Sequence, residues 1–128
     1  SGAMVAVVGN GGKQPNKRML PGGAANAACL AVVRGLAEEL APYGVRVNAV
    51  NPGPTRTTRW DRLISGLAAG SGEEAAAVEK QQTAGIPLGR INEPKEVAQM
   101  IAFLASDAAG TITGTSLTAD GGMTAAIA

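Results

Sequence analysis

Pro42-Tyr43-Gly44-Val45-Arg46-Val47-Asn48-Ala49-Val50-Asn51-Pro52-Gly53-Pro54 is the stretch on which the fold turns. Pro42 cannot continue a helix, and Gly44 supplies the turn that ends one. Val45 to Val50 is a short β-branched run, the composition of a strand. Pro52-Gly53-Pro54 stops that strand, because proline donates no ladder hydrogen bond. The stretch therefore reads as helix end, turn, strand and loop.

Before it, from about Ala24 to Ala41, the pattern is helical. Leu30, Val33, Leu36, Ala37 and Leu40 recur at three- and four-residue steps on one stripe, with Arg34, Glu38 and Glu39 elsewhere. The alanines around 24–31 predict close packing against a neighbour, and Cys29 among them reads as a small buried hydrophobe. Further back, Met4 to Val8 is a continuous apolar run, the signature of a strand buried on both faces. Gly9-Asn10-Gly11-Gly12 ends it, and Lys13 to Arg18 is a solvated polar loop containing Pro15.

Beyond Pro54, Trp60 to Ala69 reads as a short helix. Ser71-Gly72-Glu73-Glu74 has capping-box spacing, which predicts another helix to about Thr83. That helix is mostly alanine with Glu and Lys, weak core material, so the region reads as a mobile or partner-covered excursion. Asn92 is an N-cap candidate before Glu93-Pro94. Val97, Ile101, Leu104 and Ala105, widened by Met100 and Phe103, form the strongest apolar stripe. Leu117 lies in a last strand, and Asp120-Gly121-Gly122 is a turn. Strands alternating with helices predict parallel βαβ units, an α/β fold. Three strands are few for a free-standing parallel sheet, so residues 1–128 read as part of a larger, doubly wound one.

Composition removes several chemistries. The 128 residues contain no histidine and one cysteine, which excludes Ser-His-Asp and Cys-His sites, an internal disulfide and a cysteine-rich zinc site. No metal site is expected. Eleven Lys+Arg against ten Asp+Glu leave no basic footprint for nucleic acid. The apolar runs fall short of a bilayer span and no signal peptide is visible, so a cytoplasmic chain without a membrane partner is expected.

The quoted stretch closely resembles a hallmark of the short-chain dehydrogenase/reductase family. Ile86-Pro87-Leu88-Gly89-Arg90, Glu93-Pro94-Lys95-Glu96-Val97-Ala98, Phe103-Leu104-Ala105-Ser106-Asp107-Ala108, Ile112-Thr113-Gly114 and Asp120-Gly121-Gly122 follow in the family's order and spacing. The resemblance implies the C-terminal half of one doubly wound, Rossmann-type domain, with the dinucleotide loop in the other half. Gly9-Asn10-Gly11-Gly12 does not supply that loop, since Gln14 breaks G-x-G-x-x-G.

The family's catalytic serine position falls at about Gly9 or Asn10, its tyrosine on Gly22 and its lysine on Asn26. None of the three functions is retained, and Tyr43, beyond the helix, cannot substitute. Asn26 has two open readings: an amide for a ribose hydroxyl, or a backbone partner at the helix start. By resemblance, Pro52-Gly53-Pro54 and the Thr57 hydroxyl line the nicotinamide of NAD or NADP. Pro54 has no N–H to offer but keeps its carbonyl. Arg56, Arg59 and Arg62 could meet an anion, but arginines flanking a surface helix are usually solvent-facing. The resemblance implies an atypical NAD(P)-dependent oxidoreductase acting on a small carbonyl or alcohol, as a homodimer or homotetramer. The alternative is a non-catalytic relative used for ligand binding or assembly.

Overall fold

Three parallel strands, β1 (Gly2–Val7), β2 (Val45–Pro52) and β3 (Ser116–Ala119), form one sheet in the order β1-β2-β3. The computed structural model describes residues 1–14 and 16–127; Pro15, expected in a loop, lies outside the described residues. Helix α1 (Leu20–Leu40) joins the first two strands. Helices α2 (Thr58–Ser71), α3 (Ala75–Thr83) and α4 (Pro94–Ala105) lie between the second and third. Val7 pairs with Val50, and Asn51 pairs with Thr118, so β2 is the central strand.

The two faces of β2 meet different helices because side chains alternate along a strand. Val47 and Ala49 pack with Val8 and with Val33 and Ala37 of α1. Val50 packs with Leu104 of α4 and Ala109. Leu104 is fully buried, and burying a side chain of this size contributes about 1.5–3 kcal/mol. Arg46 closes the end of α4, its guanidinium donating to the carbonyls of Leu104 at 2.7 Å and Ser106 at 2.9 Å. Those carbonyls belong to the last turn, which has no partners of its own.

β1 departs from its expected two-faced burial. Met4 is 50% and Val7 58% exposed, since β1 pairs on one side only and its other edge is open. The stripe of α1 falls where its spacing placed it, but the alanine-rich face does not pack, and Cys29 is exposed rather than buried. Helix α1, continued to Tyr43, is also long and apolar enough to cross a membrane by length and composition, contrary to expectation. Its mean hydropathy is 1.2 and 17% of the window is buried, with Val33 and Ala37 seated on the sheet.

The α2–α3 region has a core of its own, not the weak packing expected. Trp60, Ile64, Val78, Ile86 and Ile91 are buried together. Ser71 does not cap α3: it ends α2, where Gly72 takes the left-handed conformation (φ 72°), and Glu74 holds the N-cap position. Nor does Asn92 cap α4. Glu93 takes that place, with its N–H donating to Glu96 at 2.8 Å, while the Asn92 amide donates to the Ala119 carbonyl at 2.6 Å.

Candidate functional site

A cavity of about 890 Å³ opens over the strand ends, where an open α/β sheet places ligands. Gly9, Gly22, Asn26, Pro52, Gly53, Pro54 and Thr57, every residue expected at the site, line it. The second turn of α1 and the turn after β1 are brought together by close contact. A Cβ on Gly12 would lie 2.8 Å from the Asn26 carbonyl carbon, and one on Gly9 would lie 3.0 Å from Asn26 Nδ2. Asn26 is half-buried beneath that turn and lines the cavity, and its amide makes no hydrogen bond to a backbone group among the described residues. Gly22 is exposed, with open space where a Cβ would be. Tyr43 is 72% exposed at the other end of α1 and does not reach the cavity.

On the β2 side, Thr55 and Thr57 differ in availability. The Thr55 hydroxyl donates to the Gly53 carbonyl at 3.0 Å, whereas Thr57, at the N-cap position of α2, makes no side-chain cap bond. The Pro54 carbonyl is less free than expected, because it accepts the Asn92 N–H at 2.9 Å. One of its two lone pairs remains.

Asp120 anchors the floor. It is 6% exposed and accepts from the backbone N–H groups of Gly122, Met123 and Thr124 and from the Thr124 hydroxyl. The Asn10 amide also donates to it, at 3.5 Å. Burial alone would raise its carboxyl pKa, but the hydrogen bonds from Thr124, Asn10 and Gly122 together hold it below the usual carboxylate range. The wall formed by α2 is fixed at Glu79, which accepts from Trp60 Nε1 at 3.0 Å and pairs with Arg56 at 2.7 Å. Those two contacts, Trp60 first, lower the Glu79 pKa.

Several residues at the site had no signal in the sequence. Met19 and Leu63 line the cavity through packing between segments far apart in the chain, beside Asn10, one of the two positions expected for the serine, and Trp60. Of the two loop lysines, Lys13 is not simply solvated, donating to the Ser116 carbonyl at 3.0 Å, while Lys17 is exposed as expected and borders the cavity. Of the three arginines, Arg59 lines the cavity while Arg56 is taken by Glu79 and Glu93. The described lining offers amides, hydroxyls and two cations. It holds no carboxylate, tyrosine or cysteine, and no cluster of possible metal ligands occurs among the described residues.

The family model described as enoyl-(acyl carrier protein) reductase matches residues 1–124. The vibriobactin-specific 2,3-dihydro-2,3-dihydroxybenzoate dehydrogenase of Vibrio cholerae is 41% identical over 96% of this chain and 47% of its own length. A short chain dehydrogenase family protein from Francisella tularensis superposes with a TM-score of 0.91 at 31% identity, over 97% of this chain and 51% of the other. An NADPH-bound short chain oxidoreductase from Pseudomonas aeruginosa, described as containing an atypical catalytic center, superposes at 0.82 with 34% identity, over 98% and 47%. The chain spans about half the length of the curated relatives it matches. Matched over nearly all its residues in sequence and in fold, the chain belongs to the short-chain dehydrogenase/reductase family.

Proposed function

We propose that this chain forms the nicotinamide end of an NAD(P)-dependent oxidoreductase that exchanges hydride with a small carbonyl or alcohol, without the family's tyrosine and lysine. The observation that carries this reading is the convergence of Asn26, Pro52, Gly53, Pro54 and Thr57 on one cavity at the strand ends. The uncommitted Thr57 hydroxyl and the remaining lone pair of Pro54 suit the two polarities of a carboxamide. Asn26, facing the same space, suits a ribose hydroxyl. When bound, the nicotinamide supplies the hydride donor or acceptor. The chain's own residues hold and orient it, and Trp60 and Leu63 exclude water from one wall.

The dinucleotide loop belongs to strands added on the open edge of β1, where exposed Met4 and Val7 await a neighbour. An unpaired apolar edge is an aggregation hazard that a completed sheet removes. The exposed face of α1, with Leu20 and Val32 each 58% exposed, suits packing against a second copy in a homodimer or homotetramer. A cytoplasmic setting suits the exposed free thiol of Cys29. Titration of the intact protein with NADH and NADPH, followed by calorimetry, tests the cofactor proposal. Binding of one or both is expected, and binding of neither overturns it.

A second reading, a non-catalytic ligand-binding or assembly protein, is favoured by a cavity lining that holds no carboxylate, tyrosine, cysteine or histidine among the described residues. Cofactor-dependent turnover in a screen of carbonyl and alcohol compounds would remove it.

A further inference from the structure

We propose that Lys17 and Arg59 form an anion-binding wall of the substrate pocket, selecting a carbonyl or alcohol compound with a carboxylate on an apolar body. The assignment rests on the functional reading above and adds the substrate class. The two cations reach the cavity from different elements, Lys17 from the loop before α1 and Arg59 from the first turn of α2. Neither makes an ion pair or a side-chain hydrogen bond among the described residues, whereas Arg34, Arg56 and Arg90 are each paired with a glutamate.

Asp61, two residues from Arg59, is exposed and outside the cavity lining, and the other acids near this wall are engaged. Glu79 and Glu93 hold Arg56, and Asp120 behind the floor is saturated by Thr124 and its neighbours. The cavity is therefore cationic in a chain whose overall charge is only +1. Positive charge concentrated in a concave site attracts anions more strongly than the same charges dispersed on a convex surface. Arg59 offers a planar fork that matches a carboxylate, and Lys17 a point charge. Met19 and Leu63, 56% and 47% exposed, line the same cavity and supply apolar contact for the rest of the ligand. The cofactor's phosphates share this chemistry, so the test separates the two sources.

Trp60 is the single tryptophan and lines the cavity, so its emission reports occupancy directly. The intact protein is titrated with benzoate and with its neutral counterpart benzamide, and separately with NADPH. Benzoate should bind at least about 10-fold more tightly than benzamide. Arg59→Gln and Lys17→Gln should each weaken benzoate about 5- to 10-fold, as expected for loss of one charge-assisted contact. Benzamide and NADPH affinities should not change. Equal affinity for benzoate and benzamide, or no binding of either, overturns the proposal. So do substitutions that weaken NADPH and spare benzoate, which would give the cations to the cofactor. Failure of both NADH and NADPH to bind overturns the cofactor reading instead, and the benzoate–benzamide ratio still decides this one.

Discussion

A Cβ on Gly53, at the end of β2, would lie 2.6 Å from the Cβ of Asp120, at the end of β3. The backbone turns after the two strands are thus packed into contact, and Asp120 accepts from the amide of Asn10, in the turn after β1, at 3.5 Å beside the same junction. Gly53→Ala is expected to destabilise the fold by about 1–3 kcal/mol through overpacking. Gly22→Ala, in open space on α1, should be neutral or stabilise by up to about 1 kcal/mol. Urea unfolding of both variants checks the contrast; equal midpoints would contradict it.

Asn48 and Asn51 are both fully buried on β2, yet opposite outcomes are expected for them. Asn48 donates to the Ile112 carbonyl at 2.8 Å and accepts from the Thr115 N–H at 3.1 Å. Both polar atoms of the Asn51 side chain, and the hydroxyl of its cross-strand partner Thr118, have no hydrogen-bond partner among the described residues. Truncating Asn48 to alanine strands two backbone groups and should cost about 2–4 kcal/mol. Truncating Asn51 strands none, so its cost should be smaller by at least about 1 kcal/mol, and equal costs in calorimetric unfolding would refute the difference.

Asp120 and Glu96 govern the acid limb of stability. Glu96 is held at about 2, against its ordinary 4.5, chiefly by the Arg90 hydrogen bond and then by the Glu93 N–H. Asp120 is lowered too, its hydrogen bonds outweighing burial. A carboxylate with a lowered folded pKa contributes stability that is complete above its unfolded pKa and is lost as pH falls through the folded one. Stability should therefore fall from about pH 4.5 towards about 2, the interval set by Glu96. Asp120→Asn and Glu96→Gln should each flatten that fall, measured as the urea midpoint against pH.

Glu79 ties α3 to α2 through Trp60 and to the loop after β2 through Arg56. Glu79→Ala should red-shift Trp60 emission and speed proteolysis near Gly72. The stability cost should be modest, about 1 kcal/mol, since the carboxylate is partly exposed. Unchanged emission would show that the apolar cluster of Trp60, Ile64 and Val78 suffices alone.

Gly22 and Asn26 stand one helical turn apart on α1, with space beside Gly22 for a larger side chain. Gly22→Tyr combined with Asn26→Lys in the intact protein should raise NADPH-dependent carbonyl reduction by about 10²-fold or more, the contribution of a placed general acid. No gain in a variant that still binds NADPH would mean that nicotinamide and substrate are not set for transfer.

The elements and their order were legible in the chain before folding, because those depend on local rules: the Leu30–Leu40 stripe, the Val45–Val50 run and the proline–glycine stops each act within a few residues. The residues singled out by resemblance lie on one cavity. Capping was less legible, since Ser71 and Asn92 have capping chemistry but are held by the end of α2 and by the Ala119 carbonyl. Burial and the local balance of charge came from packing between distant segments. Met4 and Val7 are exposed because β1 is an edge, and Val78 is buried because Trp60 and Ile86 fold over it. Asp120 meets Asn10, and Lys17 lines the same cavity as Arg59, across separations in the chain that no periodicity spans. Local pattern fixes which way the backbone turns; which surface then meets water depends on neighbours that only packing supplies.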